Sequence, residues 1–303
     1  MPETLVEVTD RVVVAGASGL IGRALVDSLR ADGIAVTRLV RRPAEAADER
    51  AWDPGNAPLN PAILRGARAV VGLNGASIGR FPWTARYKRE LLWSRLTPTQ
   101  TLTAALGELG PEGPAFVSAS AVGYYPSAPG AVLTEDSPRG DEFLSDLCGE
   151  WESAAQRAPG RVALLRTAPI VHPEGVLKPL MLLTNLGVSG PIGRGTQVWP
   201  WISLADEVRA IRHVIDSDLA GPVNLTGPAR ATANDLGFAL ARRMNRPYLL
   251  RAPEWAISLV LGRDATRSLL TGDMNVVPLA LQTSGFTFTH PTVEDAVAAA
   301  VAA

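Results

Sequence analysis

Apolar residues along the chain fall into short extended runs separated by helical stripes. Runs rich in Val, Ile, Leu and Ala at 11–15, 35–40, 68–73, 115–118, 161–166 and 222–225 predict six strands. Between most of them apolar positions recur at three- and four-residue spacing, as in Leu20, Ile21, Ala24, Leu25 and Leu29, which predicts intervening helices. Strands alternating with helices predict a mainly parallel sheet covered on both faces, a doubly wound α/β fold. The rhythm loosens after about Arg194, where short helices are predicted over 204–216, 233–244, 254–261 and 292–301. Ser203 followed by Asp206, and Thr232 followed by Asp235, resemble capping boxes with Asp in place of Glu and read as ordinary structural caps.

The first strand, Val12-Val13-Val14-Ala15, runs directly into Gly16-Ala17-Ser18-Gly19-Leu20-Ile21-Gly22. Three glycines at this spacing have separable roles: a tight turn, close approach of backbone to a pyrophosphate, and close packing of helix on strand. Free amide groups at the following helix start favour an anion. The segment therefore predicts a dinucleotide site in which Gly16, Ser18, Gly19, Leu20, Ile21 and Gly22 surround the phosphates. In this fold the residue ending the second strand reads the adenosine ribose, an acid accepting from the 2′-hydroxyl and an arginine suiting a 2′-phosphate. Here that strand ends in Arg41-Arg42 with no acid before Glu45, so NADP(H) is the expected cofactor. The competing reading is that the two arginines only solvate a sheet edge.

Composition narrows the partners. The 303 residues are 47% hydrophobic and 19% charged, enough for one large domain or a domain with a smaller appendage, and too apolar for disorder. A formal net charge of −1 gives no bulk attraction to nucleic acid or to an anionic membrane, so small molecules are the expected partners. Cys148 is the single cysteine, which excludes an intrachain disulfide, and the residues before Arg11 lack a signal-peptide layout. The cytoplasm fits these features best. No apolar run reaches the ~18 residues of a membrane span, and 177–188 is interrupted by Lys178, Pro179 and Asn185. His172, His213 and His290 share no metal-ligand spacing, so no metal is expected.

Several segments together resemble the atypical extended short-chain dehydrogenase/reductases called epimerase-family (YfcH-like) proteins, which carry a small C-terminal family-specific domain. The matching pieces are Gly16–Gly22, Leu73-Asn74-Gly75-Ala76-Ser77-Ile78 with Pro82-Trp83-Thr84, and Ser94-Arg95. They continue with Ser118-Ala119-Ser120-Ala121-Val122-Gly123-Tyr124-Tyr125, Leu147-Cys148-Gly149-Glu150-Trp151-Glu152 and Leu165-Arg166-Thr167. Gly190-Pro191-Ile192-Gly193, Trp201-Ile202-Ser203-Leu204-Ala205-Asp206 and Gly285-Phe286-Thr287-Phe288 complete the pattern, which covers nearly the whole chain.

The resemblance implies a Rossmann-type NADP-binding domain over 1–170, to which 203–228 returns. It also implies a smaller, mainly helical substrate-side lobe from 171–202 and 229–303. By the same resemblance Leu73, Asn74 and Gly75 line the adenosine side, Ser118, Ala119, Thr167 and Pro169 approach the nicotinamide, and Arg95 faces the cofactor from a helix. Asp53 has two open readings, a contact to the adenine amine or the start of a turn. A homodimer is compatible with the resemblance, although no exposed apolar helix face singles out its surface.

Short-chain dehydrogenases generally use a serine or threonine to hold the substrate oxygen, a tyrosine to pass its proton and a lysine four residues later to lower the tyrosine pKa. An unperturbed phenol titrates near ~10 and needs that cation. Ser120 fits the first role. Aligning on Glu152 places Leu144 at the tyrosine and Cys148 at the lysine, so the usual pair is missing. Tyr124 is the nearest candidate acid, and both it and Tyr125 read equally as aromatic walls. Pro126 stands where relatives often have glycine and restricts Tyr125 to extended backbone.

Cys148 has no His, Lys or Arg within its helical turn and reads as an unreactive thiol beside the substrate pocket. Trp83, Tyr87 and Lys88 read as a pocket rim, with Lys88 either the missing cation or a solvated helix lysine. Trp199, Trp201 and Arg194 form an aromatic and basic patch that either receives substrate or packs the two lobes together. The leading expectation is an NADP(H)-dependent oxidoreductase or epimerase-like enzyme acting on a small hydroxy or keto substrate, with Ser120 and Tyr124 catalytic. Its rivals are an NADP-binding regulator that has lost hydride transfer, and an isomerase, cyclase or dehydratase that retains the cofactor without net redox.

Overall fold

A computed structural model describes residues 10–302, so residues 1–9, where a leader would begin, lie outside it. The strands among the described residues are β1 (Arg11–Ala15), β2 (Ala35–Val40), β3 (Glu49–Ala51), β4 (Ala69–Gly72), β5 (Ala115–Ala121) and β6 (Val132–Leu133), followed by β7 (Val162–Thr167), β8 (Ile170–Val171), β9 (Ile202–Ser203), β10 (Gly221–Leu225) and β11 (Asn275–Val276). The helices are α1 (Leu20–Ala31), α2 (Ala85–Leu109), α3 (Phe143–Ala155), α4 (Leu177–Asn185) and α5 (Leu204–Asp216), followed by α6 (Ala233–Arg243), α7 (Glu254–Leu261), α8 (Arg263–Thr266), α9 (Leu279–Thr283) and α10 (Val293–Ala300).

Seven strands form one parallel sheet in the order β3-β2-β1-β4-β5-β7-β10. The strands read as continuous apolar runs because both faces are covered. Val12 and Val14 pack with Leu25 and Leu29 of α1 and Ile211 and Val214 of α5. Val13 and Ala15, pointing the other way, pack with Leu102 and Leu106 of α2, Phe116 and Leu164. Each fully buried Val, Leu, Ile or Phe side chain of this set contributes roughly 1.5–3 kcal/mol relative to exposure. A third cluster joins α2 to α3 through Leu91, Leu147 and Trp151. A fourth joins α6 to α10 through Leu236, Leu240, Val293 and Val297, with Trp201 at its centre.

The six predicted strands and the four predicted C-terminal helices are all present. β3 and the short pairs β6·β11 and β8·β9 were not legible, being two or three residues long and too short to show a period. β5 runs three residues past its expected end, so Ser120 lies within the strand instead of beyond it. No helix among the described residues is long and apolar enough to cross a membrane.

The Thr232–Asp235 cap is a full capping box, and Thr292 with Asp295 forms another. The Ser203 cap is more than that. Ser203 Oγ accepts from the Asp206 amide, while the Asp206 carboxylate accepts from the Thr289 and His290 amides at 2.7 and 2.9 Å, fastening the C-terminal segment to α5. Asp206→Ala leaves both amides without their acceptor and is expected to lower stability by about 1–3 kcal/mol. The check is a urea midpoint together with hydrogen exchange at Thr289 and His290, which should speed up ahead of exchange in β1.

Candidate functional site

The glycine turn is sterically obligatory at two of its three positions. Gly16 has φ 86°, and a Cβ there would stand 2.7 Å from the Leu73 carbonyl carbon and oxygen. A Cβ on Gly22 would stand 2.3 Å from the Gly16 carbonyl oxygen. Gly19 is ordinary in φ, −74°, and caps α1 without a side chain over its first amides. Residues 20–22 therefore present N–H groups with no intrahelical partner, and no acid occupies that turn. The exposed Ser18 stands beside them, its carbonyl accepting from Arg23.

This turn lies where the sheet order reverses between β1 and β4, the place at which open α/β sheets take their ligands. Leu73 donates its amide to Ala15 across that gap, and Asn74 follows with a buried Oδ1 that has no hydrogen-bond partner. An orphaned buried acceptor is costly unless a ligand supplies the donor. A turn that leaves no room for a Cβ, open amides and an unsatisfied amide oxygen together fit a dinucleotide.

Of the arginine pair, only one is free. Arg42 grips Glu49 through both oxygens at 2.8 Å, and that hydrogen bonding, with the Glu45 amide second, holds the Glu49 carboxyl down at about 2. Arg41 is exposed and has no hydrogen-bond or ion-pair partner among the described residues. Asp53 starts a turn, accepting from Asn56 Nδ2 at 3.0 Å while its carbonyl accepts from the amides of Asn56 and Ala57.

At the other end of the sheet edge, Ser120 belongs to a buried polar network. Its Oγ donates to Glu152 Oε1 at 2.7 Å. Arg166, from β7, one strand in from the sheet edge, donates to both Glu152 oxygens at 2.8 and 2.9 Å, to the Tyr125 hydroxyl at 2.8 Å and to the Glu135 carbonyl at 3.0 Å. The Tyr125 hydroxyl donates onward to Asn224 Oδ1 at 2.7 Å. Burial alone would lower the Arg166 pKa, but the Glu152 carboxylate and the Tyr125 oxygen outweigh it and raise it above the ordinary value. Burial pushes the Tyr125 hydroxyl up to about 12, which leaves it a structural donor.

Tyr124 differs from its neighbour. Its ring lies with the Arg166 guanidinium 3.6 Å from the centroid, and its hydroxyl has no hydrogen-bond partner among the described residues. Ser118, 1% exposed, turns its Oγ to the Ala119 carbonyl, and Ala119 packs toward α2 and α3. Leu144 touches Gly123, a Cβ on which would stand 3.2 Å from the Leu144 Cβ. Cys148 is buried, and desolvation, then Glu152, pushes its thiol up to about 12, as an unreactive sulfur requires.

Several expected pocket residues are placed differently. Lys88 is paired with Asp264 and lies over the Phe143 ring, so it is not the missing cation. Trp201 is a core residue, its indole donating to the Ala229 carbonyl and its ring filling the space that a side chain on Gly227 would need. Trp199 donates to the Leu270 carbonyl and Arg194, largely exposed, pairs with Asp273 at 3.0 Å, which ties this stretch to the segment 270–273. Trp83 is buried edge-on against Phe143 with its indole on the Ile78 carbonyl. Tyr125 and Leu144 border a small crevice closed by Ser268, Gly272 and Met274.

The sequence reading passed over Glu207. It is fully buried on α5, takes a hydrogen bond from Thr167 Oγ1 at 2.8 Å and leaves Oε2 without a partner. Pro169, beside Thr167, accepts from the Ile202 amide at 3.2 Å. The signal for Glu207 was a carboxylate on the same helical stripe as Val208, Ile211 and Val214 with no basic residue at i±4. Burial raises its pKa to about 8, the Thr167 hydrogen bond opposing.

With the geometry in place, comparison with known proteins gives the class. A model of the NAD dependent epimerase/dehydratase family matches residues 12–225, and a model described as a domain of unknown function, DUF1731, matches 252–300. The chain belongs to the NAD dependent epimerase/dehydratase family. It is 40% identical over 291 residues to the epimerase family protein MT2273 of Mycobacterium tuberculosis, covering 94% of this chain and 96% of the relative. The crystal structure of human epimerase family protein SDR39U1 (isoform2) with NADPH superposes with a TM-score of 0.86 at 30% identity, covering 96% of this chain and 98% of that one.

Glu207 makes a pH prediction. Below its ordinary value of 4.5 the carboxyl is protonated in both states; above it the unfolded chain releases the proton while the native state keeps it up to about 8. Its contribution to stability is thus present at low pH and lost as pH rises through that window. Urea midpoints of the wild type and Glu207→Gln, measured from about pH 5 to 9, should diverge as pH rises, with the variant the less sensitive. Parallel profiles would show that the carboxyl is not held protonated.

Proposed function

We propose that this chain is an NADP(H)-dependent oxidoreductase or epimerase-type enzyme acting on a small hydroxy or keto substrate. The observation that carries the reading is the cradle at the β1/β4 switch point: Gly16 and Gly22, which admit no side chain, beside the unsatisfied Asn74 oxygen and the unpaired Arg41. The amides of Leu20, Ile21 and Gly22 would hold the pyrophosphate, Leu73, Asn74 and Gly75 the adenosine, and Arg41 the 2′-phosphate. Ser118, Ala119, Thr167 and Pro169 would border the nicotinamide, which when bound gives up or accepts a hydride. The human relative SDR39U1, crystallised with NADPH, supports this choice of cofactor.

The substrate side follows from hydrogen-bond direction. Ser120 spends its only proton on Glu152, so its oxygen presents lone pairs and suits a hydroxyl donor. Tyr124, with an open hydroxyl, is the group able to hand a proton to a substrate oxygen or take one from it. Arg166, at its ring face, supplies a cation beside the phenol. Leu144 and Cys148 in place of the usual pair favour a second reading, an NADP-binding regulator that has lost hydride transfer.

Two measurements test the assignment. A charge-assisted contact is worth about 1.5–3 kcal/mol, so Arg41→Ala is expected to weaken NADPH binding roughly ten- to hundred-fold and leave NADH nearly unchanged. A panel of carbonyl compounds incubated with NADPH is then followed at the nicotinamide absorbance. Tyr124→Phe should slow turnover by roughly 10²–10⁴-fold at unaltered NADPH affinity. Substrate conversion without nucleotide oxidation would select an epimerase-type reaction over net redox, the absence of any conversion beside intact NADPH binding would select the regulator, and turnover unaffected by Tyr124→Phe would remove this tyrosine from the chemistry.

A further inference from the structure

Arg95, on α2, carries a guanidinium that no carboxylate among the described residues neutralises. Nη1 donates to the Leu91 carbonyl at 2.8 Å and Nη2 to the Ala76 carbonyl at 3.1 Å, which leaves most of its five N–H donors unused. Its charged carbon lies 5.2 Å from the Trp151 ring centroid. Among the described residues it forms no ion pair, whereas Arg166 has Glu152 and Lys88 has Asp264. Burial accordingly lowers its pKa, as expected for a cation taken from water without a counter-charge.

The surroundings hold it in that condition. The Ala76 amide donates to Ser94 Oγ at 2.9 Å, locking the 73–76 loop onto α2. A Cβ on Gly75 would stand 3.0 Å from the Arg95 guanidinium carbon, so the residue after Asn74 lacks a side chain where the arginine lies against the loop. Arg95 and Cys148 influence each other electrostatically, and Cys148 in turn borders Ser120 and Ala121. The thiol, buried and protonated, is no counter-ion. Arg95 therefore holds its charge between the loop after β4 and the α3 residues Cys148 and Trp151 that border Ser120.

We propose that Arg95 is a cofactor-positioning residue that binds the nicotinamide nucleoside through its ribose hydroxyls, supplying from α2 the cation that the Cys148 position on α3 does not provide. The proposal rests on the NADP(H) reading above and deepens it at the nicotinamide end. The two hydroxyl oxygens of a ribose are adjacent acceptors, which free N–H donors held in one plane can reach together. A substrate oxygen gaining negative charge beside that ribose would lie in the field of the same cation.

The experiment is calorimetric titration of wild type, Arg95→Lys and Arg95→Met with three probes: NADPH, NADH and 2′,5′-ADP, which lacks the nicotinamide nucleoside. Arg95→Met is expected to weaken NADPH and NADH by the same factor, about tenfold or more, and to leave 2′,5′-ADP binding unchanged. The shorter, unforked Arg95→Lys should show the same split at smaller size, and it carries the test should the methionine variant fail to fold. Unaltered NADPH affinity in both variants, or a loss shared equally by 2′,5′-ADP, overturns the assignment. Failure of the wild-type protein to bind any of the three overturns the cofactor reading itself, an outcome distinct from a wild type that binds all three and variants that do not differ from it.

Discussion

The ion pair between Arg166 and Glu152 is the constraint to which the active half of the molecule is built. An arginine buried near the end of an interior strand, with both faces of the sheet covered, is intolerable without a carboxylate, and removal of one partner from such a pair typically costs about 3–5 kcal/mol. Glu152 comes from α3, so the pair fixes that helix against β7. The remaining Arg166 donors reach the Tyr125 hydroxyl and the Glu135 carbonyl, and Tyr125 reaches Asn224 on β10. Glu135 Oε1 then accepts from the amides of Asn224 and Ala280, which brings the C-terminal region into the same network. Ser120 is the one hydroxyl of this network that stands beside the proposed reaction centre, and its orientation is decided by Glu152.

That network also separates two adjacent tyrosines into different kinds of group. Tyr125 is saturated with partners and buried, so its hydroxyl serves architecture. Tyr124 keeps its hydroxyl open and lays its ring on the cation that secures its neighbour. The sequence shows a double tyrosine and no more; the distinction arises in the 3₁₀ turn 122–124 that follows β5, where Tyr124 ends the turn against α3 and Tyr125, the next residue, reaches Asn224 on β10.

What was legible in the chain was whatever repeats or is sterically unique. Apolar runs gave the six longer strands because each is buried on both faces, and the glycine turn was readable because Gly16 and Gly22 admit no side chain. The capping pairs announced helix starts, but nothing local distinguishes Asp235, which closes its own cap, from Asp206, which crosses to Thr289 and His290. Trp201 looked like a pocket residue because aromatic and basic residues cluster around it in sequence, and it proved to be a core residue because Gly227 and Ala229, distant along the chain, close over its indole. Partners separated by dozens of residues leave no mark on a spacing pattern.

The same reasoning orders the cations. Sequence offers Lys88, Arg95 and Arg166 within reach of the site and gives no means of choosing among them. Packing chooses: Lys88 is taken by Asp264 on α8, and Arg166 by Glu152 on α3. Arg95 faces carbonyl dipoles and a tryptophan ring, none of which cancels a full charge. A fold that neutralises two neighbouring cations and leaves a third desolvated keeps a state of higher energy than it needs, unless a ligand completes it. Asn74 Oδ1, on the loop against which Arg95 packs, is an unmet acceptor in the same sense. An unmatched cation and an unmet acceptor on the two sides of Gly75 describe, from the protein alone, a ligand that brings an acceptor and a donor to neighbouring points of one loop, as the proposed dinucleotide would.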